Sequence, residues 1–263
     1  MMNTVVSRFK IFTKYQHLFF QLVARNIKLR YRRSILGYLW SILNPLGTMI
    51  IMTIVFSAMF ARGVANFPVY LLSGQLLFSF MMGATAWALP SIIGNAALFK
   101  KIYIPKYIFT LSAVTSEFFT MLFSLGALLV VLAVTRTQLT VRFLLIVLPI
   151  IELYIFCLGL GMLLAPVTVF FRDTQHLWNV FCTAWMYMTP IFYPVEMLPE
   201  WLRSIITRFN PMYFYIAAFR EFTLNSGGDW VSNICRGAVA AVIMLFVGIF
   251  VFSRTKNKFI LYM

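Results

Sequence analysis

The stretch Arg25–Leu46, RNIKLRYRRSILGYLWSILNPL, decides how this chain is to be read. It opens as a basic amphipathic segment, turns at Gly37 and enters the first long apolar run through Trp40. A helical projection of this segment and the residues before it puts Tyr15, Leu18, Phe19, Leu22, Val23 and Leu29 on one face. Lys14, Gln21, Arg25, Lys28 and Arg32 fall on the opposite face. An apolar face set against Lys and Arg is how a helix lies in a membrane surface, its cations near anionic headgroups. Arg30 and Arg33 fall on or near the apolar side, from which they would snorkel to the headgroups or reach a protein partner. A membrane span follows at once, which favours an interfacial helix over a merely solvated basic face.

Composition extends the reading to the whole chain. Of 263 residues, 62% are hydrophobic and 11% charged, with a mean hydropathy of +0.88. Soluble domains are closer to half apolar and about a quarter charged, so this chain places its apolar surface against lipid. The net charge of +15 would suggest nucleic acid in a soluble protein, but here it is read by position. Cys157, Cys182 and Cys235 are odd in number and sit in apolar surroundings, so neither a disulfide framework nor a metal site is expected. No short apolar core with a small-residue cleavage site precedes the first run, so the first span is expected to direct insertion itself.

A hydrocarbon core of about 30 Å takes about 20 helical residues to cross. Apolar runs of that order fall at roughly 39–61, 69–94, 108–134, 142–170, 177–193 and 232–252, the fifth short and interrupted by Pro190. With a cytoplasmic N-terminus, 15 of the 22 Lys and Arg fall in inner segments and 7 in outer ones. Eight of the inner cations lie in residues 1–37, which hold no acid. The expected fold is therefore an all-α integral membrane protein with six transmembrane helices and both termini cytoplasmic. Its parts are a cytoplasmic segment 1–37 with the interfacial helix and a membrane domain 38–263.

Three connections carry further signal. Between the second and third spans, Asn95–Tyr107 (NAALFKKIYIPKY) interleaves apolar residues with three lysines, and suits a short amphipathic helix ended by Pro105. A headgroup-anchored loop and a docking helix for a cytoplasmic partner fit it equally. After the fourth span, Asp173 is placed to cap the helix carrying Trp178 through its side chain. After the fifth, Pro190, Pro194, Pro199 and Pro211 break a segment rich in aromatics into pieces too short to cross. Re-entrant helices at about 194–224, which imply a lined pathway, and a pair of interfacial helices both fit.

The chemistry absent from the sequence narrows the function. No GxxxxGK[ST], HExxH, CxxC pair or GxSxG occurs, so no nucleotide site or catalytic motif is expected and the chain is not read as an enzyme. Only Glu117 and Glu152 are acids within spans; a stand-alone secondary carrier or channel would need them as a relay. A membrane enzyme would need Asp173, His176 or Glu221, which no spacing joins. Lys28, Arg30, Arg32 and Arg33 gather positive charge at the interface, where they would attract an anionic group. Aromatic faces stack on sugar rings as well as forming membrane belts, which makes Trp40, Tyr187, Phe192 and Tyr193 candidates for a glycan conduit.

RYRRSILGYLWSILNPL, Phe170-Phe171-Arg172-Asp173, TPIFYP at 189–194 and FNP at 209–211 recur here in order. Together they resemble the permease subunits of bacterial polysaccharide ABC exporters, the O-antigen, capsule and teichoic-acid type, over about residues 15–252. The resemblance implies a homodimer in the bacterial cytoplasmic (inner) membrane with two copies of a separate ATP-binding subunit. ATP and Mg would be bound by that partner, with no cofactor in this chain. It also implies a coupling helix at about 95–107, bearing Phe99, Lys100, Lys101 and Ile104, with Arg172 and Asp173 near the same interface. The paired elements at about 194–224 become an outer gate, and the dimer axis encloses the conduit for a lipid-linked glycan, with Lys28, Arg30, Arg32 and Arg33 as candidates to draw the pyrophosphate of its lipid carrier to the entrance.

Overall fold

The computed structural model describes residues 2–32, 34–60, 64, 66–99, 104–138, 140–225 and 227–259. Arg33, Lys100 and Lys101 lie outside the described residues, as does the side chain of Phe99. Among the described residues there is no strand. The α-helices in chain order are α1 (Met2–Tyr31), α2 (Trp40–Phe60), α3 (Phe67–Ala88), α4 (Ala96–Phe99) and α5 (Tyr107–Val134). They continue with α6 (Val147–Phe170), α7 (Thr174–Met188), α8 (Glu200–Phe209), α9 (Pro211–Leu224) and α10 (Trp230–Thr255).

Among the described residues, five stretches are long and apolar enough to cross a membrane: Gly37–Phe60, Phe67–Ala88, Tyr107–Val134, Val141–Phe170 and Trp230–Thr255. The run expected as a further span at 177–193 forms only α7. Its 15 residues extend about 22 Å, short of a hydrocarbon core. Beyond it the chain leaves helical geometry at Thr189, and Ile191 and Phe192 bury their side chains in protein rather than lipid. Both elements expected at 194–224 form helices. The amphipathic α8 is largely exposed, with Ile206 its buried residue, whereas α9 sinks Phe214, Tyr215, Phe219 and Phe222 into the bundle.

α3 is the most buried of the five long helices, packed between α2, α5, α6 and α9. Its start is fixed by Asn66, whose side chain accepts from Val69 N at 3.4 Å with Pro68 in the first turn, and which also donates to Thr137 Oγ1 at 2.8 Å. Pro90, which has no amide proton to donate, follows directly on its end. Asn210 does the same for α9. Its amide oxygen accepts from Met212 N and Trp185 Nε1, while its nitrogen donates to Thr189, so one residue joins α7, the turn after it and α9. α6 and α10 cross with backbones in contact: a Cβ added at Gly159 would lie 2.5 Å from the Met244 carbonyl, and one at Gly248 would strike the Gly159 backbone. Small residues permit that approach between membrane helices.

At the end of the bundle that carries Lys106, Arg254, Lys256 and Lys258, hereafter the basic end, α1 lies against the base of α5. Phe19, Leu22 and Val23 bury themselves with Ile108 and Phe109, flanked by Tyr15, Leu18, Leu98 and Ile104. Leu29 and Phe20 stay exposed. Phe259 packs with Ile92, Val169 and Phe252 and closes the C-terminal side of the same end.

Asp173 departs from the expected cap. It holds helical backbone angles, φ −69° and ψ −10°, and its side chain makes no capping bond. A side-chain cap needs an extended residue at that position. Here the Asp173 carbonyl accepts from His176 N and Leu177 N, and its carboxylate is left free of the helix end.

Candidate functional site

Arg30, set apart from the cation-bearing face of α1, reaches Glu117 on α5, with which it forms an ion pair. Glu117 lies ten residues into α5, about 15 Å along its axis from Tyr107. The guanidinium also sits 5.3 Å from the centre of the Trp87 ring, a cation–π contact from α3. Burial works against the Arg30 charge, but the hydrogen bond and attraction to Glu117 outweigh it and hold its pKa above the usual arginine value. Gly83 on α3 makes the space: a Cβ there would run into the Glu117 carboxylate. The pair thus ties the junction of α1 and α2 to the middle of the bundle.

Beside it opens a cavity of about 450 Å³ between α2, α3 and α5. Arg30, Tyr31, Trp40 and Glu117 line it together with Asn44, Thr48, Gln75, Ser79, Thr120 and Ser124. A cavity with this many polar side chains among apolar helices is suited to hold a hydrophilic group.

The basic end presents a second set of groups. Arg25 donates to Asn95 Oδ1 at 3.1 Å, fastening α1 to the segment that leads into α4. Ile104 packs with the α1 cluster, whereas Arg172 and Asp173 are exposed on the turn before α7. Lys28 and Arg32 lie with Arg25 along the exposed face of α1, lining a shallow groove from which Arg30 is turned away. Lys106 donates to the Lys256 carbonyl at 2.8 Å and lies 5.2 Å from the Phe259 ring centre. Burial, and then the charge of Lys256, hold its ammonium below the usual lysine range.

At the opposite end, Phe192 stacks on Phe56 with ring centres 5.7 Å apart, and Tyr193 packs near Phe60. The Tyr193 hydroxyl donates to the Tyr187 carbonyl at 2.6 Å, and burial pushes its pKa above the usual tyrosine value. The length of α2, about 30 Å, separates these three aromatics from Trp40, so the four expected conduit residues form two groups rather than one. Sequence reasoning missed the residue that organises this end. Arg220 is buried, stacks 3.4 Å from the centre of the Tyr70 ring, and donates to the carbonyls of Tyr70, Pro190 and Ile191 at 2.6–3.2 Å. It thereby holds the TPIFYP turn against α3, where Gly74 leaves room for it. The next residue, Glu221, accepts from the amides of Gly227 and Gly228. Glu152 faces Gly237 and Tyr215 near α10, so the two acids of the spans meet different neighbours.

An all-helical bundle with five long apolar helices, a basic helix laid across its base and a polar cavity within it defines a multi-pass membrane protein of the transporter kind. The chain belongs to the ABC-2 type transporter family, whose model matches residues 17–224. The resemblance carried by its four motifs is borne out by individual relatives. It is 29% identical to the O-antigen export system permease protein RfbA of Klebsiella pneumoniae over 89% of this chain and 90% of that protein. The namesake from Myxococcus xanthus is 26% identical over 94% and 95%. The polysialic acid transport protein KpsM of Escherichia coli is 26% identical over 90% and 92%.

Proposed function

We propose that this chain is the membrane-spanning subunit of an ATP-driven exporter that moves a lipid-linked polysaccharide of the O-antigen, capsule or teichoic-acid type across the bacterial cytoplasmic membrane. The observation that carries the reading is the near end-to-end likeness to proteins named for O-antigen export and polysialic acid transport. Two copies of the chain would work with two ATP-binding subunits. The basic end is cytoplasmic, because inner segments collect positive charge. The short α7 and the buried α9 together make up a sixth crossing, α7 from the cytoplasmic side and the TPIFYP turn at the outer side.

Energy enters at the basic end. The partner docks on the segment 95–107 and on exposed Arg172 and Asp173. Because Arg25 bonds Asn95 and α1 packs on Ile104 and Ile108, a push on that segment moves α1 with it. Lys28 and Arg32, with Arg33, draw the pyrophosphate of the lipid carrier to the same face. Glu117 is engaged by Arg30, which leaves it poorly suited to the relay that a secondary carrier would need. The test is complementation in a strain deleted for this chain and scored for surface polysaccharide. Restored export that is lost when Lys28, Arg32 and Arg33 are all changed to Gln supports the reading, provided the protein stays inserted. Unchanged surface polysaccharide in the deleted strain overturns it.

A further inference from the structure

The cavity between α2, α3 and α5 lies within one chain, and the chemistry of its wall is unusual. The hydroxyls of Thr48, Thr120 and Ser124 each donate to a carbonyl one turn back on their own helix, at 2.9–3.1 Å. Their protons are used, so what these hydroxyls can offer a ligand is lone pairs. The amide oxygen of Gln75 is a buried acceptor with no hydrogen-bond partner, and it stands on the same wall. Such an atom is a standing demand for a donor, met when the amide rotates toward a donor in the cavity. The formal cation of its lining, Arg30, is already paired with Glu117. Trp40, half exposed, adds a flat aromatic face.

A wall rich in acceptors and poor in free charge suits a ligand that brings many donors and little charge, and an aromatic face suits one with an apolar ring side. Phosphate would want an unpaired cation, and the Arg30 charge is already paired with Glu117. We propose that this cavity is a pyranoside-binding pocket that holds one glycosyl unit within each protomer, stacked on Trp40 and hydrogen-bonded to Gln75, Asn44 and the α5 hydroxyls. The proposal rests on the export reading for the source of the sugar, and it adds an intrachain holding site for the glycan.

The test uses the full chain in lipid nanodiscs with Cys235 replaced by Ser, since Cys157 and Cys182 are buried. Ser79, exposed in the cavity, is changed to Cys, and its reaction with a small water-soluble maleimide is timed. The probes are methyl α-D-mannopyranoside, methyl β-D-galactopyranoside, N-acetyl-D-glucosamine and inorganic phosphate. At least one glycoside should slow labelling about tenfold at roughly ten times its dissociation constant, the mass-action factor for a single site. Phosphate should not, and Gln75→Leu should remove the protection, with Asn44→Leu as the second variant should the first misfold. No labelling of the Ser79→Cys thiol, no protection by any glycoside, or equal protection by phosphate overturns the proposal. Deletion of the chain that abolishes surface polysaccharide alongside absent protection sinks the pocket alone. Protection with unchanged surface polysaccharide sinks the export reading alone.

Discussion

Replacing Glu117 by Gln removes one member of the pair that pins the α1–α2 junction to α5. The Arg30 side chain is 25% exposed and that of Glu117 10%, so the pair sits between a surface bridge, worth at most about 1 kcal/mol, and a buried one, whose disruption costs about 3–5 kcal/mol. Two features pull the figure down from the upper limit. Arg30 keeps its stacking on Trp87, worth about 0.5–2 kcal/mol, and the adjoining cavity gives the stranded guanidinium access to water. A loss of about 2 kcal/mol follows, or about 4–8 °C in Tm for a protein of this size. Arg30→Met strands the more buried partner and should lose about 3 kcal/mol, limited by the carboxyl's ability to take up a proton. The double variant should be no worse than the poorer single one, giving a coupling of about 2 kcal/mol. Thermal unfolding of the three proteins in the same lipid nanodiscs, followed by tryptophan fluorescence, reads these values. Losses that add to within about 0.5 kcal/mol would mean the pair is not formed in the folded protein.

Further perturbations test other joints. Arg220→Lys keeps the charge but not the planar fork that reaches three carbonyls, and should lower the yield of folded protein and its Tm by the equivalent of about 2–3 kcal/mol; an unchanged Tm would contradict the geometry. Asn210→Ala removes the α9 cap and the acceptor of Trp185, for a loss of about 2 kcal/mol measured in the same assay. Gly248→Leu must push α6 and α10 apart, and a disulfide engineered between those two helices should fail to form in that variant while forming in the parent. Gly83→Val should displace Glu117 and reproduce the Glu117→Gln loss without adding to it.

How far the sequence could be read depended on whether the information was local. The five long helices were plain because a membrane crossing is a matter of length and hydropathy within one run. The run at 177–193 is helical only as far as α7, and hydropathy alone does not mark where the helix stops. Ile191 and Phe192 are apolar because they pack against protein, and hydropathy does not distinguish a protein interior from lipid. Arg30 announced itself by falling on the wrong face of α1, but its partner on α5 lies 87 residues away and no spacing names it. Arg220 was read as one cation among others. Its partners are backbone carbonyls on two other segments, and backbone acceptors leave no mark in a sequence. The Asp173 cap was a sound local inference from residue type, defeated by a helical turn that its neighbours continue through position 173.

The central claim is that an ATP-hydrolysing partner drives this chain through its basic end. The most direct measurement is co-purification of the chain from native membranes in gentle detergent, with and without Phe99, Lys100 and Lys101 changed to Ala. The account predicts that an ATP-binding subunit comes down in equal numbers with the parent chain and is lost with the triple variant, while the variant remains inserted. A parent chain that purifies with no ATPase would contradict it.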